Sequence, residues 1–157
     1  MQGDSARQLA AGTAGSSSLL AWTFEGDDGW RDVRFQLLRA ADGVPEPAGE
    51  VVSIDRLSSV AYPTAGDGPR SYLLGWASQL TASPDRVEVV RIDTDGAIVT
   101  PLDEDGVYLV QEGAIEPSIA SFGPGRFLVA YTRQVPGLGT EVRARIADYP
   151  LDPFFIE

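Results

Sequence analysis

An all-β array of three four-stranded repeats is the fold this 157-residue chain predicts, and three observations carry the expectation. One apolar run occurs three times, as Ser18-Leu19-Leu20-Ala21-Trp22, Tyr72-Leu73-Leu74-Gly75-Trp76 and Phe127-Leu128-Val129-Ala130-Tyr131, with the closing aromatics 54 and 55 residues apart. Each run is followed by an alternating stretch, Val33-Arg34-Phe35, Val87-Glu88-Val89 and Val142-Arg143-Ala144, whose valine lies 11 residues after the aromatic every time. Turn residues, among them 17 Gly and 11 Pro, punctuate the chain throughout, and no segment sustains a helical period. A fixed period holding several short strands marks a radial β-array.

The elements follow the same plan in each repeat. The first reads as strands at Leu9-Ala10-Ala11, Leu19 to Trp22 and Asp32 to Leu38, a turn at Ala41-Asp42-Gly43, and an outer strand at Val51-Val52-Ser53-Ile54. The second has Ser59-Val60-Ala61, Tyr72 to Trp76, Arg86 to Ile92, a turn at Asp93-Thr94-Asp95-Gly96, and an outer stretch within Ile98 to Val110. In the third, Pro117-Ser118-Ile119-Ala120-Ser121 leads through a turn at Phe122 to Arg126 into a strand from Arg126 to Thr132. That strand is nearly all apolar and is expected to be buried on both faces. Val135-Pro136-Gly137-Leu138-Gly139 then breaks the chain, Glu141 to Ile146 alternates as a half-exposed strand, and Phe154-Phe155-Ile156 supplies a short fourth. The expected organisation is one domain over residues 1–157, with repeats at about 7–55, 56–114 and 115–157.

Composition narrows the chemistry. Cysteine and histidine are both absent, which removes thiolate chemistry, disulfides, the commonest general base and the commonest transition-metal ligand. All 12 basic residues are arginine. A net charge of −11 opposes nucleic acid and anionic membrane surfaces as partners. No apolar run is long enough to insert in a membrane, and the N-terminus lacks the basic and apolar regions of a signal peptide. Either the protein is cytoplasmic or its leader is absent from this chain.

A small first strand, a Gly-containing turn, an aromatic-Leu-Val-Ala-aromatic strand, a polar loop, a Val-Arg-Ala-Arg strand and an Asp-Gly turn together form a recognisable unit. It resembles the blade repeat of bacterial secreted and cell-surface β-propeller proteins, best over Pro117 to Ile146, well over Ser59 to Pro101, and with one extra residue over Leu9 to Gly43. The resemblance implies three four-stranded propeller blades, an extracellular or cell-surface location, and an adhesive, ligand-binding or scaffold role. It carries no catalytic residue. Closed propellers use about four to eight blades, so the remainder is expected from a second copy, another polypeptide or further repeats. The alternative is a β-trefoil, which also holds three four-stranded repeats and closes by itself. The Gln-x-Trp signature of that fold is missing.

Several constellations invite a chemical reading. Asp93-Thr94-Asp95-Gly96 and Asp103-Glu104-Asp105-Gly106 open like calcium loops, but neither continues into a full oxygen set, so no metal site is assigned and both read as Asp-Gly turns. No cofactor motif occurs. Trp22, Trp76 and Tyr131 are expected to pack between blades rather than to stack on a sugar. The loop between second and third strands lies on the face where propellers commonly bind ligands, and Asp27, Asp28, Trp30, Arg31 and Arg133 on that loop are the candidate ligand-binding residues. The function expected is a non-enzymatic binding or assembly module that takes a carbohydrate or protein ligand. The alternative is a carboxylate-based glycosidase or lyase on the same fold, since that chemistry needs no histidine.

Overall fold

The computed structural model describes residues 5–14, 16–26, 31–39, 52–53, 59–67, 71–79, 85–99, 108–123 and 126–147, and every regular element among them is a β-strand. The first repeat forms β1 (Ser5–Ala14), β2 (Ser17–Glu25), β3 (Arg31–Arg39) and β4 (Val52–Ser53). The second forms β5 (Ser59–Asp67), β6 (Ser71–Gln79), β7 (Arg86–Asp93) and β8 (Tyr108–Glu112). The third forms β9 (Ala114–Gly123), β10 (Arg126–Val135) and β11 (Gly139–Ala147). Phe154, Phe155 and Ile156, the expected last strand, lie outside the described residues.

These strands make three antiparallel sheets, β1-β2-β3-β4, β5-β6-β7-β8 and β9-β10-β11, each a meander of three long strands with a short fourth added in the first two. Spatial order equals chain order, and no described strand pairs with a strand of another sheet, so no sheet closes on itself. The constant spacing in the sequence has its cause in the hairpins. Trp22 sits opposite Arg34, Trp76 opposite Glu88, and Tyr131 opposite Arg143, so the second and third strands hold one register in all three sheets.

The sheets stack face to face in chain order, with β1 against β5 and β5 against β9. Between the first and second, Leu19, Ala21 and Phe35 meet Leu74, Trp76 and Val90. Between the second and third, Leu73, Val87 and Val89 meet Phe127, Val129 and Tyr131. Each Val, Leu or Phe among them, fully buried, contributes about 1.5–3 kcal/mol. Since side chains alternate across a strand, β6 sends Tyr72, Leu74 and Trp76 towards the first sheet and Leu73 towards the third, and every residue from Ser71 to Ser78 is buried.

Two expectations are corrected by this stacking. The strand from Arg126 to Thr132 is buried on one face only, with Phe127, Val129 and Tyr131 inside and Leu128 39% exposed, because no described sheet covers its other side. The recurring aromatics also divide. Trp76 and Tyr131 pack between sheets, whereas Trp22 points away from the second sheet and stays partly exposed.

Candidate functional site

Two contacts fix which ends of the sheets lie together. The Tyr72 hydroxyl at the start of β6 donates to Ser17 Oγ at the start of β2, at 2.9 Å. At the end of β7, the Arg91 guanidinium lies 5.7 Å from the ring centre of Phe127, near the start of β10. The starts of β2, β6 and β10 therefore share one end of the stack, and the ends of β2, β6 and β10 share the other.

Two of the five candidate ligand-binding residues, Arg31 and Arg133, lie at that second end. Asp27, Asp28 and Trp30 lie outside the described residues. Arg31 opens β3 opposite Glu25, and Arg133 sits on β10 opposite Glu141. The second sheet stands between these two arginines. At about 10 Å per packed sheet their backbones are separated by roughly 20 Å.

The β10–β11 hairpin is the best defined part of this end. Gly137 and Gly139 take positive φ of 79° and 90°, and the Leu138 N–H donates to the Val135 carbonyl at 3.0 Å. These glycines permit a turn that a side chain would strain. Leu138 is left 86% exposed at the tip. Below it Gln134 Nε2 donates to Thr140 Oγ1 at 2.9 Å, and Arg143 Nε donates to Glu141 Oε1 at 2.7 Å. The result is a braced knob with an apolar tip and paired charges on its flank.

Sequence reading missed a charge pattern that the structure makes plain. Each third strand holds an ion pair two residues apart on one face: Arg34 with Asp32 at 3.4 Å, Arg86 with Glu88 at 3.4 Å, and Arg143 with Glu141 at 2.7 Å. The middle pair has its signs reversed. The signal was present as a charge, a valine and an opposite charge at the same place in every repeat. Glu88 is buried, and its Oε2 also accepts from Trp76 Nε1 at 3.1 Å and Ser78 Oγ at 2.8 Å. Arg34 stacks on Phe24, 3.3 Å from the ring centre. Arg145 ties the third sheet to the second by donating to the Val110 carbonyl and to Gln111 Oε1.

The Asp93-to-Gly96 turn lies at the opposite end, and its carboxylates serve the backbone. Asp93 Oδ1 accepts the N–H groups of Asp95 and Ala97 at 3.3 and 3.2 Å, and Asp95 Oδ1 accepts that of Ala97 at 3.1 Å. Burial, then the adjoining Asp95, raises the Asp93 carboxyl above its ordinary range. The hydrogen bond from the Asp93 side chain, then the Ala97 N–H, lowers Asp95. Among the described residues no group of three acidic side chains is placed to hold a metal ion. The loop at Asp103 lies outside them. No described helix is long and apolar enough to cross a membrane.

Neither protein-family models nor curated proteins match this chain.

Proposed function

We propose that the three sheets are consecutive blades of a β-propeller and that the protein is a non-enzymatic binding or assembly module of a bacterial surface or secreted protein. The stack itself carries this reading. Three separate meanders, each laid on the next with its first strand beside the neighbour's first strand, follow the plan of propeller blades. A trefoil would need strands of different repeats to pair into one barrel, and no such pairing occurs among the described residues.

The ligand face is the end bearing the connections between second and third strands. Arg31 and Arg133 on opposite sides of the middle sheet suit an extended ligand, a glycan chain or a protein surface, better than a small molecule. Asp27, Asp28 and Trp30 belong to the same proposed surface. Screening glycans and plant and bacterial polysaccharides for binding and for turnover tests the reading. Binding without turnover is expected, and Arg133→Ala should weaken it about tenfold, as losing one charge-assisted hydrogen bond does. Turnover abolished by a single Asp or Glu substitution would refute the binding-module reading and favour the carboxylate enzyme.

A further inference from the structure

We infer that the two outer faces of the stack are the two halves of one more blade junction, and that a second copy of this chain fills it head to tail. The inference rests on the propeller reading above. Blade stacking has a direction. On β6 and β10 the odd-sized apolar side chains Trp76 and Tyr131 point back to the preceding sheet, while Leu19 with Ala21 on β2 and Leu73 with Gly75 on β6 point forward to the next.

The outer faces continue this pattern. On the third sheet Leu128, Ala130 and Thr132 of β10 point outward, opposite Ile146, Ala144 and Val142 of β11. The first sheet presents Leu19, Ala21 and Thr23 at the equivalent places, opposite Leu37, Phe35 and Val33, and there all six are buried under the second sheet. Leu-Ala-Thr on the central strand is thus a face that the fold already covers once. On the third sheet it is open: Leu128 is 39% and Val142 78% exposed.

The complementary half is on the first sheet. Its outer face holds Leu20 and Trp22 of β2, matching Leu74 and Trp76, which cover the Leu-Ala-Thr face within the chain. Leu9, opposite Trp22 on β1, is 70% exposed. Beside them on that face Arg34 Nη2 donates to Asp32 Oδ2 at 3.4 Å.

Two copies related by a two-fold axis satisfy both outer faces of each, giving a closed ring of six sheets. The area agrees with such a dimer. Three strands about 4.8 Å apart and seven residues of about 3.3 Å rise give roughly 330 Å² per face, and four faces total roughly 1,300 Å², inside the range of stable interfaces.

Light scattering on the purified full chain tests this. The native chain should run as a monodisperse species of twice 16.8 kDa at micromolar concentration. Val142→Arg on the exposed face of the third sheet and Leu20→Glu on the first should each weaken the dimer at least 100-fold while still melting cooperatively. Mixing Leu128→Arg with Leu20→Glu should restore a dimer that neither forms alone, because one junction is then native and the other carries opposite charges. A native chain that stays monomeric or aggregates, or a dimer that survives the alteration of either face, overturns the second-copy inference. The propeller reading fails on another measurement: a compact, near-spherical X-ray scattering profile for the Val142→Arg monomer, in place of the open wedge left by three stacked sheets.

Discussion

Gly75→Ala sets repeat logic against packing. Ala21 and Ala130 occupy the equivalent places, so the pattern of the repeats argues that alanine belongs at 75 as well. The structure argues otherwise. A methyl group there would stand 2.9 Å from Ile119 Cδ1, 3.1 Å from Val89 Cγ1 and 3.3 Å from the Glu88 carbonyl oxygen. The first two neighbours can yield by shifting side chains, but the carbonyl belongs to the paired strand β7. Overpacking of this kind costs about 1–3 kcal/mol, while removing a glycine from a strand returns about 0.5–1 kcal/mol. The net expectation is a loss of about 1 kcal/mol, or roughly 2–4 °C in melting temperature for a chain of this size.

Ile119→Val identifies the source of that loss. It deletes the Cδ1 carbon in the clash, and by itself costs about 0.5–1.5 kcal/mol, at the low end because Ile119 is only partly buried. In the Gly75→Ala background it should cost nothing or restore stability, a coupling of about 1 kcal/mol. Urea unfolding of the four proteins at one fixed concentration measures the cycle. The reasoning is refuted if Gly75→Ala is as stable as the native chain, or if Ile119→Val costs the same in both backgrounds.

Glu88→Ala leaves the Trp76 N–H and Ser78 hydroxyl buried without their acceptor and should cost about 2–4 kcal/mol, whereas Glu88→Gln, which keeps an acceptor oxygen, should cost less than half of that in the same urea assay. Asp93, its carboxyl raised, contributes stability below the unfolded value of about 3.9 and loses it as pH rises through the folded value, and Asp95, lowered, does the reverse. Asp93→Asn keeps the acceptor oxygen and adds a permanent donor towards Asp95, so it should melt above the native chain at pH 7 and level with it at about pH 3. Calcium titrated into chelator-treated protein should raise the melting temperature only slightly at millimolar levels; a saturable micromolar transition lost in Asp95→Ala would contradict the placement of these carboxylates on backbone amides.

The repeats were legible because a hairpin register leaves a direct trace in sequence. Trp22, Trp76 and Tyr131 each pair with the residue 12 positions on, so the second and third strands of each repeat could be read from spacing alone. What spacing does not carry is which face of a sheet meets a neighbour. The runs around Leu74 and Val129 are equally apolar, yet β6 is covered on both sides and β10 on one, a difference set by place in the stack and not by local composition. The charge pairs leave a trace too, a charge, a valine and an opposite charge in each repeat, but only the strand pairing shows that the two charges share a face. For the candidate site, sequence named the connections between second and third strands, but not that Arg31 and Arg133 belong to sheets kept apart by a third.

The reversed middle ion pair bears on how firmly the inferred ring would close. Arg34, Glu88 and Arg143 hold equivalent places, each on its sheet's face turned away from the next sheet, so successive sheets within the chain carry alternating signs at this place, one sheet spacing apart. Closing the ring with a second copy sets Arg143 of one protomer one sheet spacing from Arg34 of the other, and like signs follow one another instead. At roughly 10 Å in water two unit charges interact by about 0.4 kcal/mol, partly offset here by Asp32 and Glu141. The net charge of −11 on each copy adds repulsion of the same sense. Salt screens both terms, since the Debye length falls from about 10 Å at 0.1 M to about 3 Å at 1 M. The dimer is therefore expected to tighten about threefold between 0.05 and 0.5 M sodium chloride, measured by dilution in light scattering, although salt usually weakens interfaces held by ion pairs. Dissociation on adding salt would mean that complementary charges hold the copies together, and the junction of Leu20 and Trp22 with Leu128 and Ala130 would lose its role as the principal contact.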